Sequence, residues 1–274
     1  MAKRLFCEIS PLTYRISVGS NIFRRKLKWI ANRKVYAVQH TPEKMPHLVY
    51  QSKSIIRRRL GNVDMRLQDN KAVNLGIAAP KINGILIKPN QVFSFWKLVG
   101  SCSAAKGYLE GLVIKNNGVA EGIGGGMCQL TNLIHWLVLH SPLTVHEHHH
   151  HNHFDLFPDF GRTVPFGTGT SIMYNYLDYQ FVNNTPHTFQ MMLYTTDEHL
   201  CGELRCDEPI GLAYHVEERN AHFSKAENAY FRHNEVFQIT IDKKTGEKVN
   251  EVLINKNRSK VLYDSTFIPV EMIR

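Results

Sequence analysis

One cysteine stands where a helix start can put it to chemical use. Cys128 follows Gly122-Ile123-Gly124-Gly125-Gly126 and opens a segment in which Leu130, Leu133, Ile134, Leu137 and Val138 repeat at helical spacing. That periodicity predicts a helix over residues 127–140, with Ser141-Pro142 ending it. Its apolar stripe centres on Leu137, so Cys128, Thr131, Asn132, His135 and Leu139 fall on roughly the opposite face. Free amide N–H groups in a first helical turn carry partial positive charge and favour a thiolate. The same N–H groups, around Gly125, Gly126 and Met127, can hold an oxyanion, with Asn132 one turn further along as a substrate contact. A thiolate there with an imidazole base is an acyl-transfer nucleophile. The competing reading is a small buried hydrophobe behind a tight glycine turn. A phosphate loop does not fit, because no Gly-Lys-Ser/Thr ending follows the glycines.

The second cluster is His146-Glu147-His148-His149-His150-His151-Asn152-His153. In extended backbone His149, His151 and His153 share one face. Three readings stay open: one imidazole is the base for Cys128, the three bind a divalent metal such as Zn²⁺ or Ni²⁺, or the run is a polar strand with no chemistry. Asp178, beside Tyr179 in a strand pattern, is either the carboxylate that orients a histidine or a solvent-facing strand residue.

The elements that must position these groups are a few helices and many strands. A first helix is expected after Asp69 or Asn70, with Leu75, Ala78, Ala79 and Ile82 as its stripe, Pro80 kinking it over Gly76, and Gly84 stopping it. Ile85 and Ile87, then residues 92–96, read as strands around the Pro89-Asn90 turn. Leu177, Tyr179 and Phe181 alternate with polar residues, as do Phe189, Met191 and Leu193 beyond Asn183-Asn184-Thr185-Pro186. Phe237 to Ile241 and Val249 to Ile254 form a hairpin pattern around Lys243-Lys244-Thr245-Gly246. Helices and strands are segregated, so the fold class is α+β: a few helices packed on antiparallel sheet, with a β-rich C-terminal extension. Three stretches are expected: a basic segment 1–60, a motif-bearing stretch 61–207 and the extension 208–274.

Composition narrows the partners. The 274 residues carry a net charge of +9 and a pI near 9.3, with 43% hydrophobic and 21% charged residues. That balance favours anionic partners. The basic excess falls early, at Arg24, Arg25, Lys26, Lys28, Arg33, Lys34 and again at Arg57, Arg58 and Arg59, interleaved with Ile22, Phe23, Leu27, Trp29 and Ile30. This is either a solvated basic face or an amphipathic arm for an anionic surface. No apolar run is long enough to span a bilayer and no secretory leader is evident, which predicts a cytoplasmic or membrane-peripheral chain. No aromatic-basic motif points to nucleic acid. The five cysteines are not spaced as a disulfide framework, although Cys201 and Cys206 could meet across a hairpin.

Taken together, NLGIAAPKINGILIKPNQVFSFWKLVG (74–100), KGYLEG (106–111), GIGGGMCQLTNLIHWLVLHSPLTV (122–145) and DYQFVNNT (178–185) resemble the VanW family, named from accessory proteins of vancomycin-resistance clusters. The resemblance covers residues 60–207. It implies a bacterial envelope role and a cysteine-dependent acyl transferase or peptidase of the L,D-transpeptidase kind, acting on peptidoglycan stem peptides or their precursors without a cofactor. The alternative it leaves is a non-catalytic precursor-binding or resistance accessory protein. Carried over by position, Cys128 is the nucleophile, His151 the base with His149 the second choice, and Gln129 shapes the oxyanion region. Relatives have an Asp-Ala-Thr segment where this chain reads Gly167-Thr168-Gly169-Thr170-Ser171, so Asp178 is the fallback carboxylate.

Overall fold

The computed structural model describes residues 5–32, 35–58, 64–115, 118–150, 154–159, 164–174, 176–226 and 228–274. Helix α1 (Pro11–Ala31) leads into strands β1 (Gln39–His40) and β2 (His47–Ile55), helix α2 (Met65–Ala78), and strands β3 (Ile85–Ile87) and β4 (Val92–Ser94). Short helix α3 (Phe95–Val99), hairpin β5 (Glu110–Lys115) and β6 (Gly118–Ile123), and helix α4 (Met127–Leu139) follow. The remainder is β: β7 (Thr144–Glu147), β8 (Phe154–Asp155), β9 (Gln180–Val182), β10 (Phe189–Thr195), β11 (His199–Cys206), β12 (Leu212–Ala226), β13 (Ala229–Asp242) and β14 (Lys248–Val261). The fold is α+β, with helices against mainly antiparallel sheets.

The central sheet runs β1-β3-β10-β11-β2. Phe189, Met191 and Leu193 of β10 are fully buried, and α4 lays Leu130, Leu133, Ile134, Leu137 and Val138 into the same core. Burying each such side chain contributes about 1.5–3 kcal/mol relative to exposure. A three-stranded sheet β4-β9-β7 closes the other side of the core, and a four-stranded sheet β12-β13-β14-β8 follows in the chain.

Several expectations are corrected. The boundary at residue 60 cuts a sheet, because β2 pairs with β11 from His47↔Cys206 to Ile55↔His199. The residues after 207 are β-rich, but β8 from the preceding stretch joins their sheet by parallel pairing with β14. Helix α2 starts at Met65 and not after Asp69, since Asp64 Oδ1 accepts the Arg66 N–H at 2.8 Å and caps it. Asp69 instead pairs with Arg57 at 2.6 Å. Pro80 does not kink the helix: α2 ends at Ala78 and Pro80 sits in a 3₁₀ turn, where its missing N–H costs nothing. The strand expected over 92–96 stops at Ser94, whose hydroxyl accepts the Lys97 N–H at 3.3 Å and turns the chain into α3. Cys201 and Cys206 lie on one strand, β11, about 17 Å apart by strand rise, and cannot bridge.

Candidate active site at the start of helix α4

The turn before α4 is tight for packing reasons. A Cβ on Gly125 would lie 2.2 Å from the carbonyl carbon of Gly111, and a Cβ on Gly126 would lie 2.2 Å from the Lys71 stem. Gly126, the N-cap residue, also has φ +97°, which an L side chain rarely adopts. Gly125 O accepts from Asn74 Nδ2 at 2.9 Å. The glycines of the expected oxyanion site therefore admit β5 and α2 against their Cα atoms, and Met127 beside them is buried.

Cys128 occupies the second position of α4 and is half-buried. The expected thiolate-favouring field is outweighed. Burial pushes the thiol above its ordinary value, and the nearby backbone amides of Ile172 and of Cys128 itself pull it back only in part. The cause is a second layer over the face opposite the core stripe, where Thr131 and His135 are buried. Asn132 Oδ1 accepts from Thr170 N at 2.7 Å and Thr170 Oγ1 at 2.8 Å, and Thr131 Oγ1 bonds Thr170 Oγ1. Ser171 N–H donates to His149 O at 2.6 Å. Residues 168–172 are thus stitched between α4 and the histidine run. Asn132 holds this cover in place, a different role from the substrate contact expected.

The histidines divide. His148 Nε2 lies 3.2 Å from Gly169 O and its ring 4.2 Å from that of His135 and 4.0 Å from that of His150. His135 Nδ1 lies 2.9 Å from Tyr179 Oη, while its buried Nε2 has no hydrogen-bond partner. Burial and the neighbouring imidazoles hold His148 down to about 3 and His135 well below its ordinary value, so both are neutral near pH 7. His149 Nε2 approaches Glu147 Oε1 at 3.3 Å. His151 and His153, named as base and metal ligands, lie outside the described residues. Among the described residues, the group with ligand atoms close enough for a metal is His187, Cys206 and Asp207, within 4.8 Å of one another on the β10–β11 hairpin and not in the histidine run.

Asp178 is neither solvent-facing nor an orienter of a described imidazole. It is buried, and its carboxylate accepts from Ser94 Oγ at 2.5 Å, Trp96 N at 3.0 Å, Tyr179 N at 2.9 Å and Gln180 Nε2 at 2.8 Å. It ties α3 to β9. Gln129 points away from the sulfur's partners: its Nε2 donates to Ser54 Oγ and Ile55 O, both at 2.9 Å, pinning α4 to β2.

Two groups escaped sequence reasoning. Lys71 is buried under Gly126, donates to Gln68 Oε1 at 2.7 Å, and is held down to about 8 by burial and by Arg58 and Arg57. The only sequence signal was its helical spacing from Leu67 and Leu75. Arg25 was read as part of a basic run, yet it makes a bidentate pair with Glu147.

The family model described as VanW like protein matches residues 70–205, a span that holds Cys128, Thr170 and Tyr179. The chain is 29% identical over 228 residues to the vancomycin B-type resistance protein VanW of Enterococcus faecalis, covering 83% of this chain and 82% of that protein. It is 26% identical over 117 residues to the uncharacterized protein YoaR of Bacillus subtilis, covering 42% of this chain and 36% of that one. No solved structure matches.

Proposed function

Because the chain belongs to the VanW family, we propose that it is a cysteine-dependent acyl transferase or peptidase acting on peptidoglycan stem peptides or their precursors, with Cys128 as nucleophile. One observation carries this reading: Cys128 sits in the first turn of α4, where the N-cap residue Gly126 supplies no side chain to take up the free N–H groups. Donors placed there stabilise charge on a thiolate, or on the oxyanion that forms when the thiolate attacks a carbonyl. The Cys128 sulfur bonds the carbonyl carbon of a stem-peptide amide, the C–N bond breaks as the leaving amine takes a proton, and a thioester remains. An acceptor amine or water then releases the acyl group and returns the thiol. With the resting thiol protonated, a base must take its proton with substrate in place, a role the family resemblance gives to His151.

A second reading is favoured by the raised thiol and by the hydrogen bonds that turn His148 and His149 to other partners. In it the same amides grip a carboxylate of a wall precursor without turnover.

The deciding experiment incubates the chain with purified muropeptides and follows products and intact protein mass. An acyl adduct on the wild type that vanishes in Cys128→Ala supports the enzyme. Unchanged turnover in Cys128→Ala removes Cys128 as nucleophile. Binding by wild type and Cys128→Ala alike, with neither product nor adduct, selects the second reading.

A further inference from the structure

Helix α1 carries an apolar ridge that the rest of the protein leaves uncovered. Leu12, Ile16, Phe23, Leu27 and Ile30 are each between 49% and 67% exposed. At about 100° per residue these five fall within roughly a 60° arc, one line along the helix. On the opposite line the C-terminal half of the helix meets the protein, where Trp29 is buried and Arg25 is held by Glu147 at 2.7 Å, while Tyr14 nearer the start is 55% exposed. The C-terminal half of the helix is therefore docked by one side and bare on the other. Monomeric surfaces scatter single apolar side chains, but five in line mark a contact surface.

The charges identify the occupant. Exposed Arg15 and Lys26 flank one edge of the ridge, and exposed Arg24 and Lys28 the other. Residues 11–31 contain no Asp or Glu. A second copy meeting ridge to ridge would bring these cations together with no carboxylate on either helix to neutralise them. An anionic bilayer satisfies both features. Its acyl boundary takes an apolar face lying in the plane, while long basic side chains reach the headgroup phosphates. The turn before α1 adds exposed Leu5, Phe6 and Ile9 at the same end of the chain.

We infer that α1 is an in-plane membrane anchor, whose Leu12–Ile30 ridge inserts into the interface of a bilayer rich in anionic phospholipid. The inference is independent of the chemistry proposed for Cys128. The flanking bases add electrostatic attraction at an anionic surface, and insertion of the ridge adds the transfer of five large side chains.

The test is co-sedimentation of the full chain with vesicles of phosphatidylglycerol and phosphatidylcholine, against phosphatidylcholine alone. The wild type is expected in the pellet with anionic vesicles only, and to be released as salt rises from about 0.1 M to about 0.5 M. Phe23→Glu with Leu27→Glu changes two exposed side chains, so the circular dichroism spectrum should hold while vesicle affinity falls about tenfold or more. Arg24→Gln with Lys28→Gln, a milder pair, should weaken binding and flatten its salt dependence. Wild type that stays in the supernatant with anionic vesicles overturns the inference, as does a Glu double variant that pellets like wild type. A wild-type dimer that the Glu pair splits into monomers, with no vesicle binding by either, assigns the ridge to self-association instead.

Discussion

Arg25 of α1 clasps Glu147 at the end of β7, with Nη1 2.7 Å from Oε2 and Nη2 2.7 Å from Oε1. The same carboxylate accepts the Asp178 N–H at 3.0 Å and lies 3.3 Å from His149 Nε2. One pair thus fixes α1, the start of the histidine run and the segment leading to β9. Arg25→Ala should cost about 2–3 kcal/mol, less than breaking a fully buried pair because both groups keep some solvent contact. Burial works to raise the Glu147 carboxyl, but the Arg25 and Asp178 bonds hold it below its ordinary 4.5. A depressed folded value stabilises the protein above the unfolded value, and that contribution is lost as pH falls through the folded one. Urea unfolding at pH 7 and pH 3 should show the Arg25→Ala deficit shrinking in acid. An equal deficit at both pH values would show that the ion pair is not its source.

The packed imidazoles of His135 and His148 set a second acid limit in a different window. His135 and His148 are both held below their ordinary 6.5. A base depressed in the folded state binds its proton first when unfolded, so stability is full above about pH 6.5 and falls below it. With two such groups the slope approaches about 2.7 kcal/mol per pH unit between pH 6 and 4. His148→Gln should remove about half of that slope. A slope unchanged in this variant would place the protons elsewhere.

Cys128 should behave as a reluctant thiol. Burial raises it despite the two nearby backbone amides, so alkylation by iodoacetamide near pH 7 should run at least about tenfold slower than for a free peptide cysteine and keep rising above pH 9. If a muropeptide accelerates the same reaction, substrate is helping to deprotonate the sulfur. Fast labelling of the free protein at pH 7 would contradict the burial described here.

Two glycine substitutions should act in opposite directions. Gly125→Ala forces a Cβ to 2.2 Å from Gly111 backbone, which cannot shift cheaply, and should cost about 3 kcal/mol or more in thermal or urea unfolding. Gly76 lies inside α2 with nothing within 4 Å of its would-be Cβ, so Gly76→Ala should stabilise by about 0.5–1 kcal/mol. Similar costs for both would mean the turn before α4 is not the close contact described.

Periodic and local features are legible in the residue order alone. The Leu130–Val138 stripe specified α4 to within a residue, the Phe189–Leu193 alternation specified β10, and the GGGMCQ segment specified the family. Cys128's place in the first helical turn followed from the same local pattern. What surrounds these elements depends on how distant segments pack. The face of α4 opposite its apolar stripe reads as open, yet residues 168–172 cover it through Asn132–Thr170 and Thr131–Thr170 bonds between residues some 40 positions apart. That cover desolvates the sulfur and reverses the direction of its shift. Asp178's choice of Ser94 and Trp96 over an imidazole, Arg25's capture of Glu147 and Lys71's burial under Gly126 are likewise long-range pairings. Helical and strand periods encode which side chains share a face; which distant segment then covers that face is fixed only when the layers pack.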